Sequence, residues 1–168
     1  MKPKLFVLLS LILFISCTSQ NLKPLTDEEK SSIELEITEH LDIIADSWGT
    51  MDFSKAFQMS LDSPEFRFIA TNGSILSYSE EKRASETLSN YFKAIIDYKY
   101  DIDQLIVHSP DIAVATMTYS FKSIGYDDKI LNHPNTAVTS IYKRINNHWM
   151  CIYWPESGSD PEEVISDN

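Results

Sequence analysis

The stretch Thr136–Trp154 constrains the fold most. Thr136-Ala137-Val138-Thr139-Ser140-Ile141-Tyr142-Lys143-Arg144-Ile145 is dense in β-branched and aromatic residues, which suit a pleated, half-buried surface. Asn146-Asn147 follows, a pair that tolerates positive φ and so fits the tight turn of a hairpin. His148-Trp149-Met150-Cys151-Ile152-Tyr153-Trp154 then runs back. A hairpin this apolar needs cover, and the upstream chain reads as the elements that supply it.

Thr26-Asp27-Glu28-Glu29 is a capping box, with acids at the positive end of the helix dipole. Ile33, Ile37, Leu41, Ile44 and Trp48 then recur at helical spacing and make one apolar stripe, which Gly49 is expected to stop. A short second helix is expected over 52–60, with Phe53, Ala56 and Phe57 inward, before Leu61-Asp62-Ser63-Pro64 breaks the chain. Glu65 to Thr71 alternates like a strand, Asn72-Gly73 is a strong hairpin turn, and Ser74 to Tyr78 returns. Ser77-Tyr78-Ser79-Glu80 opens a third helix with a second capping box, and its expected stripe is Ala84, Leu88, Tyr91, Phe92 and Ile95.

After Asp97 the apolar period changes to two, which predicts strands over 98–108, 112–124, 129–144 and 148–154. Asn132-His133-Pro134-Asn135 interrupts the third of these, as a bulge would, because proline cannot donate to a ladder. The end of the chain is acidic and reads as a loose tail over 158–168.

The N-terminus has a different character. Lys2 and Lys4 precede an apolar run from Leu5 to Ile15, too short to span a bilayer but suited to a signal peptide. It ends in Phe14-Ile15-Ser16-Cys17, which resembles a bacterial lipobox. That resemblance implies a signal peptide over 1–17 and lipid attachment at Cys17. It also implies a polar tether over 18–25 that reaches at most ~26–29 Å, and a globular domain over 26–157. Thr18 in place of an aspartate implies an outer-membrane site facing the periplasm. The membrane is then the first expected partner. Without Lys2 and Lys4 the mature chain carries 25 acids against 12 bases, and its charge falls from −11 to near −13. Such a chain repels phosphate backbones, so no nucleic acid is expected as a partner. Cys151, the other cysteine, is expected to be a small buried hydrophobe.

Helix, short helix, hairpin, helix and four long antiparallel strands, in that order, resemble the NTF2-like superfamily, in particular its SnoaL-like and DUF4440-type domains. The residues that carry this are Ala45-Asp46-Ser47-Trp48, the hairpin 66–78 around Asn72-Gly73, Pro110-Asp111-Ile112-Ala113-Val114-Ala115, and Asn147 to Trp154. The resemblance implies an α+β, cystatin-like cone, in which N-terminal helices pack on a strongly curved, mixed or antiparallel sheet. A pocket opens between the two.

Ketosteroid-isomerising relatives place an aspartate base on the first strand, but Phe66 to Ala70 has no carboxylate, and Asp62 and Glu65 fall at the expected mouth. Many SnoaL-like chains close with a His-x-Ser pattern, where this chain has Pro155-Glu156-Ser157. No catalytic residue is therefore assigned. His40, His108, His133 and His148 lack metal-type spacing, so no metal or cofactor is expected. The pocket candidates are His40, Trp48, Phe68 and Tyr91, with Tyr119, Tyr142, Trp149 and Tyr153 from the strands. On the closing strand Trp149, Cys151 and Tyr153 should share one face, and Met150, Ile152 and Trp154 the other. Two apolar faces suggest a homodimer as well as a pocket.

The leading expectation is a lipid-anchored, non-catalytic module that binds a small apolar ligand or dimerises. The alternatives are a SnoaL-like or ketosteroid-isomerase-like enzyme and an accessory subunit meeting a basic partner. A pocket that holds a carboxylate or a histidine with a shifted pKa within reach of a tyrosine hydroxyl favours the enzyme, and a pocket closed by its own side chains favours the interaction module.

Overall fold

The computed structural model describes residues 24–164. The signal peptide, Cys17 and most of the tether lie outside the described residues, as do the last four positions of the tail.

Helix α1 (Asp27–Thr50) begins at a complete capping box: the Thr26 hydroxyl accepts from the Glu29 amide at 3.2 Å, and the Glu29 carboxylate accepts from the Thr26 amide at 2.8 Å. Its buried stripe is Ile33, Ile37, Leu41 and Ile44, joined by Ser47, whose hydroxyl donates to the Ile44 carbonyl. Gly49 does not stop the helix. The chain continues to Thr50, and Met51 takes the left-handed cap conformation at φ 57°, its amide donating to the Trp48 carbonyl. Helix α2 (Phe53–Gln58) follows and buries Phe53, Ala56 and Phe57.

The predicted first hairpin shrinks to β1 (Arg67–Ile69) and β2 (Ile75–Leu76), with Gly73 in the turn at φ 83°. Ser77 leaves the strand to cap helix α3 (Tyr78–Thr87), again with a capping box through Glu80. The third helix is shorter than its sequence pattern predicts. Thr87 and Ser89 hydroxyls donate back to the Ala84 and Glu86 carbonyls, and the chain tightens into a 3₁₀ turn over Leu88–Asn90. Strand β3 (Phe92–Ser109) therefore starts earlier than expected. The inward face of α3 carries Glu81 and Ser85, not Ala84.

Strands β4 (Ile112–Gly125), β5 (Ile130–Ile145) and β6 (His148–Ser157) complete an antiparallel meander with β3. The strand order is β2-β1-β6-β5-β4-β3, and β1 runs parallel to β6, so the sheet is mixed but mostly antiparallel. Asn146 and Asn147 both have positive φ in the β5–β6 turn, as their side chains allow. The tail is not wholly loose: β7 (Glu162–Glu163) pairs with Leu131 and Asn132 of β5.

Bulges bend this sheet around α1. Tyr119 of β4 faces Thr136 and Phe121 faces His133, so Pro134 and Asn135 together oppose Ser120 and β5 carries one extra residue. The core consists of the α1 stripe packed on Ala113, Ala115, Met117, Val138, Tyr142, Trp149 and Cys151. Deleting the Ile37 side chain, 0% exposed, opens a cavity at its centre. Ile37→Ala is expected to lower unfolding free energy by about 2–5 kcal/mol in urea titrations. Leu35→Ala, on the outer face at 61% exposure, should stay within about 0.5 kcal/mol of wild type.

Candidate functional site

A hollow of about 50 Å³ lies between the helices and the far half of the sheet. It holds several water-sized groups at roughly 10–15 Å³ each. The last turns of α1 supply Ile44 and Trp48, and α2 supplies Ala56 and Phe57. Ser60 follows α2, held at the sheet by an exchange with β6: the Leu61 amide donates to the Cys151 carbonyl at 2.9 Å and the Cys151 amide to the Met59 carbonyl at 2.8 Å. Phe66 and Phe68 enter from the β1 side, Tyr98 from β3 and Tyr119 from β4.

Two bulges aim the remaining walls. On β3, Asp97 adopts φ 54° and the register steps from Ile96–Lys122 to Lys99–Ser120, which turns Tyr98 inward. Asp97 is held there by the Lys122 ammonium at 2.9 Å. Tyr98 then stacks on Tyr119 with ring centroids 6.0 Å apart and planes 11° off parallel. On β6, Tyr142 pairs Cys151 but Ile141 pairs Tyr153, so Ile152 is an extra residue. Beyond it the phase reverses, and Trp154 and Glu156 face the hollow in place of Tyr153.

Two carboxylic acids meet in this mostly apolar space, Glu81 from α3 and Glu156 from β6. Glu81 is only 8% exposed, and the Ser85 hydroxyl donates to its Oε1 at 2.9 Å. Glu156 accepts from the Trp154 indole N–H at 3.0 Å and from the Tyr119 hydroxyl. Burial raises the pKa of both, because a charge in a low-dielectric site loses its hydration. Two donors partly offset this at Glu156, whereas Glu81 has one. Glu81 also feels the Glu156 charge, and its carboxyl is pushed up to about 7. Burial and then Glu156 likewise raise the Tyr98 and Tyr119 phenols, which stay protonated as donors. Among the described residues no group of three or more His, Cys, Asp or Glu could hold a metal ion.

Neither a protein-family model nor a curated protein matches the sequence. Solved structures do match its shape. A nuclear transport factor 2-like superfamily protein from Salmonella enterica aligns with a TM-score of 0.67 at 20% identity, over 83% of this chain and 99% of that one. The fold is NTF2-like. A hexachlorocyclohexane dehydrochlorinase from Novosphingobium barchaimii aligns at TM-score 0.71 and 8% identity, over 84% of this chain and 96% of that one. A candidate dehydratase of the NTF2-like family from Streptomyces avermitilis aligns at 0.63 and 13%, over 78% and 98%.

Within the NTF2-like hollow, Trp48, Phe68 and Tyr119 line the wall, and the other five candidates lie elsewhere. Tyr142 and Trp149 are fully buried in the core beside α1. His40 packs edge-on to Tyr142 at 6.3 Å, and burial lowers its pKa. Tyr153 turns away at the Ile152 bulge. Tyr91 is 67% exposed at the end of the 3₁₀ turn, because α3 stops short of it. Sequence reasoning missed Glu81, Tyr98, Trp154 and Glu156. Glu81 had a readable signal: with Ser85 it sits between Tyr78 and Leu88 at helical spacing, a polar pair inside an apolar stripe.

The raised Glu81 pKa has a stability consequence. The folded state binds a proton that the unfolded chain has released, so stability falls as pH rises from 4.5 to about 7. The loss attributable to Glu81 is roughly 3 kcal/mol once both states are ionised. Urea midpoints measured on either side of that window should show the Glu81 contribution as a difference between wild type and Glu81→Gln, the variant losing less stability as pH rises.

Proposed function

We propose that this chain is an acid–base enzyme that moves a proton on a small, largely apolar substrate, in an elimination or an isomerisation. The observation that carries this reading is the Glu81 carboxyl, 8% exposed in the hollow and pushed up to about 7 beside a second buried acid. A base of that pKa is about half ionised at neutral pH, where transfer in either direction is efficient. In its ionised form Glu81 takes a proton from carbon. The electron pair left behind either expels a leaving group or is reprotonated at another carbon. The Tyr98 hydroxyl lines the same space and can donate to charge that develops on the substrate. Glu156 is engaged by Trp154 and Tyr119, and its charge helps Glu81 hold its proton up to near neutrality and makes it a stronger base once ionised. Two fold neighbours are named for eliminations, a dehydrochlorinase and a candidate dehydratase, which supports the reaction class.

The expectation of a non-catalytic binding module keeps one observation in its favour, the small free volume of about 50 Å³. The two readings separate on a panel of small dehydration, dehydrohalogenation and double-bond isomerisation substrates. Wild type should turn over at least one of them, with a rate that rises through about pH 7. Glu81→Gln should lower that rate about 10²–10⁴-fold while leaving the fold intact by circular dichroism. A rate unchanged in the variant removes the acid–base reading.

We further propose that the domain is lipid-anchored at Cys17 in a bacterial envelope, on the outer membrane facing the periplasm. The support is the Leu5 to Ile15 apolar run that ends at Ser16-Cys17. Cys17→Ala should move the protein from the membrane fraction to the soluble one, and unchanged fractionation counts against the anchor.

A further inference from the structure

The acid–base reading leaves the substrate's polar group undefined, and the walls of the hollow define it. Seven of the thirteen lining residues are aromatic and two are carboxylic acids. None of the described lining residues is Lys, Arg or His. The groups that act electrostatically on Glu81, Glu156, Tyr98 and Tyr119 are acids and phenols, with no cation among them. A carboxylate or phosphate entering here would lose its hydration and meet only like charge. A cation gains on both counts. The indoles of Trp48 and Trp154 line the space with rings whose faces carry negative quadrupole potential, and the two carboxyls supply full charge. The outside agrees with the inside, because a chain of net charge −11 concentrates cations at its surface.

We propose that the hollow takes a small organic cation, an alkylammonium group carried on an otherwise apolar substrate. This rests on the acid–base reading and names its substrate class. The cavity of about 50 Å³ suits a compact head such as trimethylammonium better than an extended ligand. The cation belongs to a free amine, not to a phosphocholine headgroup, since no basic side chain lines the hollow to meet the phosphate. Binding and protonation are then linked. Glu81 is faced by Glu156 from β6, Tyr98 from β3 and Tyr119 from β4, while α1 and α2 contribute only uncharged side chains. An ammonium ion brought among these groups drives Glu81 to its ionised form, the form that accepts a proton from carbon.

The test is calorimetric titration of the full chain, in non-ionic detergent, with choline and with its neutral isostere 3,3-dimethylbutan-1-ol. Choline should bind at least about tenfold more tightly than the isostere above neutral pH. With Glu81 near 7, choline affinity should fall about tenfold one pH unit below that value, with uptake of close to one proton by the buffer. The isostere should show neither effect. Glu81→Gln should abolish the pH dependence, and phosphocholine should bind more weakly than choline. The wild-type comparison stands even if that variant misfolds. Isostere binding as tight as choline, or no choline binding, overturns the proposal, and equal binding of phosphocholine overturns the assignment to a free amine. Turnover of a neutral substrate that is lost in Glu81→Gln, with no choline binding, overturns the cation and leaves the acid–base reading standing. Choline binding with proton release, but turnover indifferent to Glu81→Gln, does the reverse.

Discussion

Ile33, Ile37, Leu41 and Ile44 are 0–6% exposed because the sheet bends around the helix that carries them. A flat sheet would touch one helix along a single line. Here strands β3 to β6 reach α1 and α2 from several directions, and the bulges in β3, β4–β5 and β6 supply the bend. Everything else about the molecule depends on that contact. The inner face near the Asn146-Asn147 turn is filled by Tyr142, Trp149 and Cys151, and only the far half of the sheet is left with free space beneath it. The end of α1 spans both regions: Ile44 is core, and it also lines the hollow with Trp48.

The same bends explain which parts were legible in the amino-acid order. Capping boxes at Thr26 and Ser77, the α1 stripe and the Asn146-Asn147 turn are local signals, and each element forms where its residues indicate. A bulge is not local in this way. Strand alternation predicts a face only while the register is unbroken, and one inserted residue reverses it. Ile152 does this on β6, so Tyr153 leaves the inner face and Trp154 with Glu156 joins it. Asp97 does the same on β3 and delivers Tyr98. Pro134 announces the third bulge because proline cannot sit in a regular ladder, whereas nothing in the residue type at Ile152 does so. Helix α3 hid its contribution differently: its inward residues are a glutamate and a serine, which an apolar-stripe search passes over.

Placing two acids under the aromatic walls is costly to the fold, and the cost is borne unequally. Glu156 receives the Trp154 indole and the Tyr119 hydroxyl, whereas Glu81 has only Ser85. Unequal hydrogen bonding separates two otherwise identical side chains. The better-solvated acid ionises first, and its charge then makes ionisation of the other harder. Separation of this kind is what assigns acid and base roles when one residue type supplies both.

That asymmetry traces back to the chain path and not to the acids themselves. Trp154 and Glu156 are two apart on β6, so the strand's own alternation puts indole and carboxylate on one face, and the 3.0 Å hydrogen bond follows. Glu81 and Ser85 are four apart on α3, one helical turn, and one hydroxyl is the most that spacing provides here. Without the extra residue at Ile152, β6 would present Tyr153 and Pro155 to the hollow, and Glu81 would lose the repulsion from Glu156. One inserted residue in an interior strand thus sets the identity of the wall and raises the proton affinity of a carboxyl on a separate helix.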